Sequence, residues 1–385
     1  MCHRPTYNAP CVPTAEEMDR RPARPLPRVL RRPLALVARL VARDGLYVAL
    51  SLGLLLVASL VLYALSPPPL LYPPLADRAP NLNAASGTTP HLEGLLQRVS
   101  PNASRLVVAV AVNYAFRNLA LNFVCNLHRL RIPNYIVLAM DRPVYRYLSA
   151  RGANVFFYED THRRRLLADA GGDRFGSSAF VETSRRKSLL VLKVLRLGYS
   201  VIFSDVDVVW IRDPIPHLVA HPFDFVMQSD RNHNDRDAAL NYNLNSGFYL
   251  ARASSRSVMA LRAIVKYSEA IRRSEQKAFN YVLCGAFKDH HAGPGTRVGA
   301  QECTYRKGGA TVIALPLDDF PNGSNDAIWL NRSTPFVSAY PSVVAVHANY
   351  VEGMANKVDR IKRIGFWLHS EVSARPDGCL LPPQR

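Results

Sequence analysis

The chain has 385 residues, 48% of them hydrophobic, which suffices for one large or two modest folded domains and excludes an intrinsically disordered protein. Its formal charge of +18 suggests nucleic-acid binding, but the basic residues beyond the N-terminal tail form no block and match no nucleic-acid motif. We therefore expect no nucleic-acid partner and anticipate anionic ligands, such as nucleotide diphosphates or acidic glycans.

The N-terminal region predicts a membrane anchor. Residues 1–45 are rich in Arg and Pro and predict a cytosolic tail, whereas residues 46–65 carry neither charge nor Pro over about the length that crosses a bilayer as a helix. Because the Arg-rich flank comes first, the positive-inside rule predicts a single-pass type II protein with a lumenal body. A cleaved signal peptide is disfavoured by the distance from Met1, and an organelle transit peptide by acidic residues at positions 16, 17 and 19.

The remainder of the chain predicts a stem followed by one α/β domain. The Pro-rich stretch 66–104 is typical of a semi-extended stem. Apolar runs separated by helical stretches then predict strands, at 105–112, 135–140, 154–158, 199–205, 223–228, 246–251, 312–315 and 343–347. We expect residues 105–385 to form a Rossmann-like domain with a mostly parallel sheet and flanking helices.

The segment VIFSDVDVVWIRDP, residues 201–214, is the most informative for function. Asp205 and Asp207 follow an apolar run at a predicted strand's carboxyl end, where open α/β sheets bind ligands. In an extended chain both side chains point the same way. Two adjacent carboxylates favour a divalent cation, Mn²⁺ or Mg²⁺, that in turn holds a diphosphate. A solvated acidic turn between two strands is the alternative interpretation.

The absence of other phosphate-binding motifs strengthens the metal hypothesis. No strand is followed by Gly-x-Gly-x-x-Gly or by a Walker loop, so neither a dehydrogenase nor a P-loop enzyme is expected. Without a Gly-rich cradle, a metal is the remaining means of holding phosphate. A metal-dependent phosphohydrolase would need more carboxylate or His ligands for a two-metal site, and the sequence shows no such cluster.

The cysteines and glycosylation sequons agree with a lumenal body. Beyond the anchor, Cys125, Cys284, Cys303 and Cys379 form an even set that predicts two disulfides. Cys284 and Cys303 enclose a short Gly-rich segment and are the first pair expected. That segment, 284–309, is also a candidate lid over the acceptor. Sequons begin at Asn102, Asn322 and Asn331.

Several motifs in order resemble one known family. They are Arg186–Pro214, Phe225–Asp230, Asn245–Tyr249, Glu275–Asn280 and Val346–Tyr350. Together they resemble the nucleotide-diphospho-sugar transferase domain of glycosyltransferase family 77, which includes plant and algal arabinosyl- and xylosyltransferases and a protist galactosyltransferase. The resemblance covers most of residues 105–367. It implies a GT-A fold, a retaining mechanism, a Mn²⁺-dependent nucleotide-sugar donor and a Golgi type II protein.

The resemblance also implies a metal and phosphate site. Asp205 and Asp207 match the metal and donor-binding pair, and His347, on a late strand, matches a third metal ligand. A lone His beside an apolar run would otherwise be structural. Lys357 is implied at the diphosphate, with a solvated surface lysine as the alternative. Arg186 and Lys187, at the predicted start of the helix before the motif, are implied at a phosphate or at the donor sugar; a charged first helical turn is the alternative.

The remaining matches lie at the donor sugar. Asn245, Ser246 and Gly247 would let the backbone approach the sugar, since Gly lacks a Cβ, although a strand-edge turn explains them equally simply. The candidate catalytic residues are Asp230, Glu275 and Gln276. Glu275-Gln276 stands where many relatives have Asp-Gln, so its carboxylate is one methylene longer. Asp213 is expected to cap the segment that follows it.

The sequence thus predicts a Golgi glycosyltransferase that moves a sugar, a pentose or galactose, from a UDP-sugar to a hydroxyl of a glycan or glycoprotein. Asp230 and Glu275 are expected to stabilise an oxocarbenium-like centre. Whether a carboxylate forms a covalent adduct or the acceptor attacks from the leaving-group face stays open. A catalytically inactive lectin-like or scaffold protein of the same fold is the alternative function.

Overall fold

A computed structural model describes the folded body of the protein. The described residues are 90–101, 104–157, 178–232, 243–271, 274–285, 293–330, 335–370, 373 and 377–380. The predicted cytosolic tail, the predicted anchor at 46–65 and the stem as far as residue 89 lie outside these ranges. Among the described helices, none is long and apolar enough to cross a bilayer.

The secondary structure alternates between strands and helices. The strands are β1 (Leu106–Val112), β2 (Tyr135–Ala139), β3 (Val155–Phe157), β4 (Ser200–Ser204), β5 (Val208–Trp210), β6 (Phe225–Ser229), β7 (Leu244–Ala251), β8 (Gly295–Arg297), β9 (Glu302–Tyr305), β10 (Ala310–Ala314) and β11 (Ala345–His347). The helices are α1 (Pro90–Val99), α2 (Arg117–Arg129), α3 (Arg142–Ser149), α4 (Ser178–Arg196), α5 (Ile215–Ala220), α6 (Ser255–Ile271), α7 (Glu275–Cys284), α8 (Asp326–Leu330), α9 (Phe336–Ala339) and α10 (Met354–Arg363).

Nine strands form a mixed central sheet in the order β3-β2-β1-β4-β7-β6-β10-β9-β8. Four neighbouring pairs are parallel, namely β1 with β2, β1 with β4, β2 with β3 and β6 with β10. The other four are antiparallel, because β7 and β9 each run against both of their neighbours. The expected mostly parallel sheet is therefore found only in its first half. Helical crossovers keep strands parallel there, whereas short connections reverse the chain after β8 and β9.

The sheet is covered on both faces, as continuous apolar strands require. All seven residues of β1 are buried. Alternate residues of β1 face opposite sides of the sheet, so Val108 and Val110 join one hydrophobic cluster while Val107 and Ala109 join the other. Each fully buried valine contributes roughly 1.5–3 kcal/mol, so this strand fixes the sheet from which the site is built.

The folded body begins earlier than the sequence predicts. Helix α1 lies inside the predicted stem, 66–104, and buries Leu92, Leu95 and Leu96 in the core. Their spacing places them on one face of a helix, and burial of that face outweighs the preference of the preceding Pro-rich sequence for an extended chain. The stem boundary at residue 104 is therefore wrong, because α1 belongs to the domain.

Two disulfides close the domain. Cys284, at the end of α7, is bonded to Cys303 in β9, as predicted, and Cys125 on α2 is bonded to Cys379 near the C-terminus. The described part of the Gly-rich segment 284–309 forms the edge strands β8 and β9 of the sheet. This pairing does not support the predicted acceptor lid, since the backbone is held in the sheet and tied to α7.

The sequon at Asn322 has a structural role. Its side chain is 1% exposed, and its amide nitrogen donates to the carbonyls of Ser229 and Arg231 at 3.2 and 2.7 Å. Its Oδ1 accepts from Ser324. An enzyme cannot reach this amide in the folded protein, so Asn322 gives no support for a lumenal body. Asn102 and Asn331 lie outside the described residues.

Candidate active site

The two aspartates lie on a tight turn at the carboxyl end of β4. Strand β4 ends at Ser204, and the Val208 N–H donates to the Asp205 carbonyl at 3.1 Å, which closes the turn. The expectation that an extended chain aligns the two carboxylates is therefore wrong in its geometry. A turn still brings them together: the donor atoms of Asp205, Asp207 and His347 all lie within 4.8 Å of one another.

Strand pairing brings His347 to this turn from far along the chain. Strands β5 and β11 form a separate antiparallel pair in which His347 is opposite Val208. The Ala348 N–H donates to the Asp207 carbonyl at 2.9 Å. As a result, His347 Nε2 lies 3.3 Å from Asp207 Oδ1. The three predicted metal ligands are thus placed together by two unrelated segments.

Gln228, which has no predicted role, orients the His347 ring. Its amide nitrogen donates to the carbonyls of Phe320 and Pro321 at 3.1 and 3.2 Å, so its Oε1 must face the ring. His347 Nδ1 lies 2.9 Å from that oxygen and donates to it. Nε2 is therefore the ring nitrogen that faces Asp207, and a hydrogen bond from the other ring nitrogen is typical of metal-ligating histidines.

Gly247 lies where a side chain would block the cluster. A Cβ at this position would come within 2.7 Å of Asp205 Oδ2 and within 2.7 Å of His347 Cε1. The Asp205 N–H also donates to the Gly247 carbonyl at 2.6 Å, so this backbone supports the turn directly. The groups close to Gly247 are thus candidate metal ligands, and the approach of this backbone to the donor sugar stays a prediction.

The donor set fits a divalent cation. Two carboxylates and one imidazole, with the imidazole held by a buried amide, suit Mn²⁺ better than Mg²⁺, which prefers oxygen ligands alone. The space left by Gly247 would accommodate such an ion beside the ligand atoms.

Each aspartate also has its own lysine. Lys187 Nζ lies 2.5 Å from Asp205 Oδ1, and Lys357 forms an ion pair with Asp207 Oδ2. Burial alone would raise the pKa of Asp207, but Lys357 and His347 hold it well below its usual range. Burial lowers the pKa of Lys187, but its acidic neighbours, above all Asp205, outweigh this and raise it overall. Asp207 is therefore ionised, and each of the two carboxylates has a lysine ammonium beside it.

Helix α4 carries Lys187 differently from the prediction. The helix begins at Ser178, so Arg186 and Lys187 lie in its interior rather than in its first turn. Adjacent helix residues point about 100° apart. Accordingly Lys187 contacts Asp205, while Arg186 is buried on a neighbouring face of the helix. Lys357 lies near the start of α10.

Asp230, directly after β6, is held by side-chain amides. Its Oδ1 accepts from Asn245 at 2.7 Å and from Asn349 at 3.4 Å, and its Oδ2 accepts from Gln276 at 2.8 Å. Asn245 in turn accepts from the Gly247 N–H at 2.7 Å, which links Asp230 to the metal-ligand cluster.

Glu275 lies behind this pocket. The Ser246 hydroxyl donates to Glu275 Oε1 at 3.4 Å, and the Ser246 N–H donates to Gln276 Oε1 at 3.3 Å. Glu275 is 5% exposed, and burial raises its pKa although nearby Lys187 acts in the opposite direction. Separately, Asp213 accepts from the Ile215 N–H at 2.9 Å and so orients the first residue of α5, whose N-cap position is Pro214.

Several residues at the site have no predicted role. Asn349, two residues after His347, lies inside a motif that carries the family resemblance. Asn113 and Tyr114 follow β1, whose carboxyl end lies beside that of β4. Asn113 is buried and its Oδ1 has no hydrogen-bond partner among the described residues. Tyr114 is 40% exposed, with the Arg117 guanidinium 4.4 Å from its ring centroid. Their position immediately after the first strand was the sequence feature from which a role in the site could have been predicted.

A family comparison decides the class of protein. The model described as nucleotide-diphospho-sugar transferase matches residues 130–361, well over half of the chain. The chain belongs to this family. The resemblance seen in the sequence is confirmed, and the aspartate turn, the Asp230 pocket and His347 all lie inside the matched residues of this glycosyltransferase domain.

The family's curated relatives are eukaryotic glycosyltransferases. The chain is 33% identical over 277 residues to beta-arabinofuranosyltransferase RAY1 of Arabidopsis thaliana, covering 72% of this chain and 50% of the relative. It is 23% identical over 296 residues to UDP-galactose:fucoside alpha-3-galactosyltransferase of Dictyostelium discoideum, covering 68% and 42%. An Arabidopsis UDP-D-xylose:L-fucose alpha-1,3-D-xylosyltransferase is 27% identical over 214 residues, covering 50% and 51%. The chain thus spans about half the length of these relatives.

Solved structures show weaker similarity. The galactosyltransferase LgtC, in complex with donor and acceptor sugar analogs, matches 67% of this chain and 95% of its own at 12% identity and a TM-score of 0.38. The glycosyltransferase GlyE of Streptococcus pneumoniae TIGR4 matches 68% and 60% at 12% identity and a TM-score of 0.39. Overlaps this weak carry no information about substrate.

Proposed function

We propose that the protein is a metal-dependent glycosyltransferase of GT-A type that moves a sugar from a UDP-sugar to a hydroxyl of a glycan or glycoprotein. The observation that carries the proposal is the convergence of Asp205, Asp207 and His347, with Gln228 orienting the imidazole and Gly247 leaving room beside them. The activities for which these relatives are named, arabinofuranosyl, galactosyl and xylosyl transfer, favour a pentose or galactose.

The residues of this site are suited to a leaving diphosphate. Asp205, Asp207 and His347 would hold Mn²⁺, which acts when bound as a Lewis acid for the charge that develops on the diphosphate. Lys357 lies beside Asp207 and projects from a partly exposed helix, so its ammonium can donate to a phosphate oxygen. Lys187 is more deeply held, against Asp205, and keeps that carboxylate in place.

The donor base has a suitable surface next to this site. Tyr114 offers an aromatic ring that is 40% exposed, and the Arg117 guanidinium lies over this ring, 4.4 Å from its centroid. The Tyr114 N–H donates to Asp141 at 2.7 Å, which anchors the backbone. The Asn113 Oδ1, which has no partner among the described residues, can accept from a base N–H or a ribose hydroxyl. These features support a uridine nucleotide at the end of β1.

Asp230 is the carboxylate best placed to face the donor sugar. The amides of Asn245, Gln276 and Asn349 fix its orientation, and because amides are neutral they do so without cancelling its negative charge. A fixed negative charge stabilises an oxocarbenium-like centre. We propose retention of configuration, either by a covalent adduct on Asp230 or by attack of the acceptor from the leaving-group face.

We further propose that the enzyme is a single-pass type II protein of the Golgi with its catalytic domain in the lumen. The apolar stretch 46–65 and its Arg-rich N-terminal flank support this topology. The two disulfides also support it, because such bonds persist in oxidising compartments.

A donor screen tests the proposal. The full chain, solubilised in detergent, is incubated with Mn²⁺ and a panel of UDP-pentoses and UDP-hexoses, and release of UDP is measured with Asp207→Ala as the control. We expect turnover of one donor that chelation and Asp207→Ala abolish. No turnover with any nucleotide sugar would favour an inactive lectin-like or scaffold protein.

A further inference from the structure

Gln276 is held at both ends of its amide. Its Nε2 donates to Asp230 Oδ2 at 2.8 Å, and its Oε1 accepts from the Ser246 N–H at 3.3 Å. Rotating the amide by half a turn would set its carbonyl against a carboxylate and its NH₂ against an N–H. Both contacts would be repulsive, so the partners fix the orientation.

The helix that carries Gln276 is itself tied to the neighbouring strand. Asn280, one turn further along α7, donates to the carbonyls of Leu244 and Gln276, both at 2.9 Å, and accepts from the Leu244 N–H at 2.8 Å. Leu244 begins β7, which pairs with the end of β6 through an irregular register. Asp230 follows directly after β6. The start of β7, the end of β6 and α7 therefore together position the Gln276 amide and the Asp230 carboxylate.

We propose that Gln276 is a positioning residue that holds Asp230 as a fixed, ionised carboxylate, and that it offers no oxygen of its own to the donor sugar. Its only amide oxygen is used by Ser246, and its NH₂ is used by Asp230. Asn245 and Asn349 complete the clamp from β7 and from the segment after β11. The role in transfer rests on the proposed function, whereas the clamp itself does not.

The charged surroundings determine how a test must be designed. Among the described residues, the titratable groups on the elements around this position include Asp205, Lys187, Asp230, Arg231, Tyr249, Glu275, Lys277, His347 and Tyr350. Measurements on metal-free protein in chelator, repeated with Mn²⁺, separate titration at residue 276 from changes in metal occupancy.

Gln276→Glu is the informative variant. When protonated, the new carboxyl group can donate to Asp230 as the amide does, but when ionised it repels Asp230, so the pair shares one proton and its upper pKa is raised. We expect kcat near the wild-type value at about pH 5 and at least about ten-fold lower at about pH 8, with KM for the donor little changed. Gln276→Ala should be slow at every pH. Gln97→Glu adds the same charge on the exposed surface of α1 and should follow the wild type.

The opposite pH dependence would overturn the proposal. If the oxygen of residue 276 contacts or attacks the sugar, Gln276→Glu should gain activity as pH rises, and mass spectrometry should find a glycosyl adduct on that residue. An adduct on Asp230, or none, is the result expected here.

Thermal unfolding without any nucleotide sugar tests the clamp even if no transfer is found. The melting temperature of Gln276→Glu should fall below that of the wild type increasingly as pH rises from about 5 to about 8. The double variant Asp230→Asn/Gln276→Glu reverses donor and acceptor, so it should recover the melting temperature at high pH but not the activity. A decrease in melting temperature that does not change with pH, or no recovery in the double variant, would contradict the contact between Gln276 and Asp230. A wild type without transfer activity would refute the proposed function alone.

Discussion

The aspartate turn and the Asp230 pocket hold carboxylates in opposite ways. Asp205 and Asp207 each face a lysine, so the turn with its two lysines carries no formal net charge. Asp230 instead accepts from three neutral amides, which fix its direction without cancelling its charge. The proposed transfer needs compensated charge at the leaving diphosphate and a fixed carboxylate at the sugar, and we propose that the two regions supply one each.

Lys357→Met tests the cationic side of this comparison and should have the largest effect. Loss of an ammonium that contacts the leaving diphosphate should lower kcat by about 10²–10³-fold. If Lys357 only compensates Asp207 on the surface, kcat should fall by less than about ten-fold. Steady-state kinetics with saturating Mn²⁺ distinguishes the two, and Lys362→Met, an exposed lysine on the same helix, is the matched control.

Gly247→Ala tests whether the metal ion occupies the space beside Asp205 and His347. A Cβ would meet Asp205 and His347 at 2.7 Å, so we expect Mn²⁺ affinity to fall by about 10–100-fold, the range that follows from disturbing ligand orientation. Isothermal titration calorimetry measures this. Gly94→Ala, in helix α1 with no close contact, should bind Mn²⁺ normally and gain roughly 0.5–1 kcal/mol of stability. Unchanged affinity in Gly247→Ala would place the ion elsewhere.

Gln228→Met removes the acceptor for His347 Nδ1 while keeping most of the side-chain volume. The ring would lose its fixed orientation, and Mn²⁺ affinity should fall by up to about ten-fold at neutral pH. The carbonyls of Phe320 and Pro321 also lose their donor, which costs roughly 1–3 kcal/mol, so the variant should remain folded but melt lower. Wild-type affinity would show that Gln228 does not orient a ligand.

Glu275→Gln should have the smallest effect and concerns stability. The pKa of Glu275 is raised, so its contribution to stability is present below its unfolded pKa and is lost as pH rises through the folded value. Each unit of elevation is worth about 1.4 kcal/mol, so Glu275→Gln should become more stable relative to the wild type as the pH rises from the unfolded pKa of Glu275 through its raised folded pKa. Denaturant unfolding measures this. A difference of the opposite sign would indicate an essential Lys187–Glu275 interaction.

The aspartate turn could be predicted from the sequence better than the Asp230 pocket. Asp205 and Asp207 suggested a metal by their own chemistry beside apolar strands, and the family resemblance implied His347 as a third ligand. The amides of Gln228 and Asn349 acquire meaning only when β6 and β11 come together, more than a hundred residues apart in the chain. Likewise, the turn geometry at Asp205 depends on a contact with Gly247 on β7, which no local pattern reveals.

The fold, too, could be predicted only where the local sequence decides the structure. Strand β1 was predictable because a continuous apolar run must be buried on both faces. The reversal of β7 was not, because a segment of that length and composition fits either direction. Helix α1 was missed because its neighbouring prolines suggested a stem, although Leu92, Leu95 and Leu96 already had helical spacing.

The most direct test compares Mn²⁺ binding and donor turnover in Asp207→Asn and Asp230→Asn. We predict that Asp207→Asn loses both, whereas Asp230→Asn binds Mn²⁺ as the wild type does and loses turnover alone. Loss of Mn²⁺ binding in Asp230→Asn, or wild-type binding in Asp207→Asn, would contradict the division of roles between the two regions.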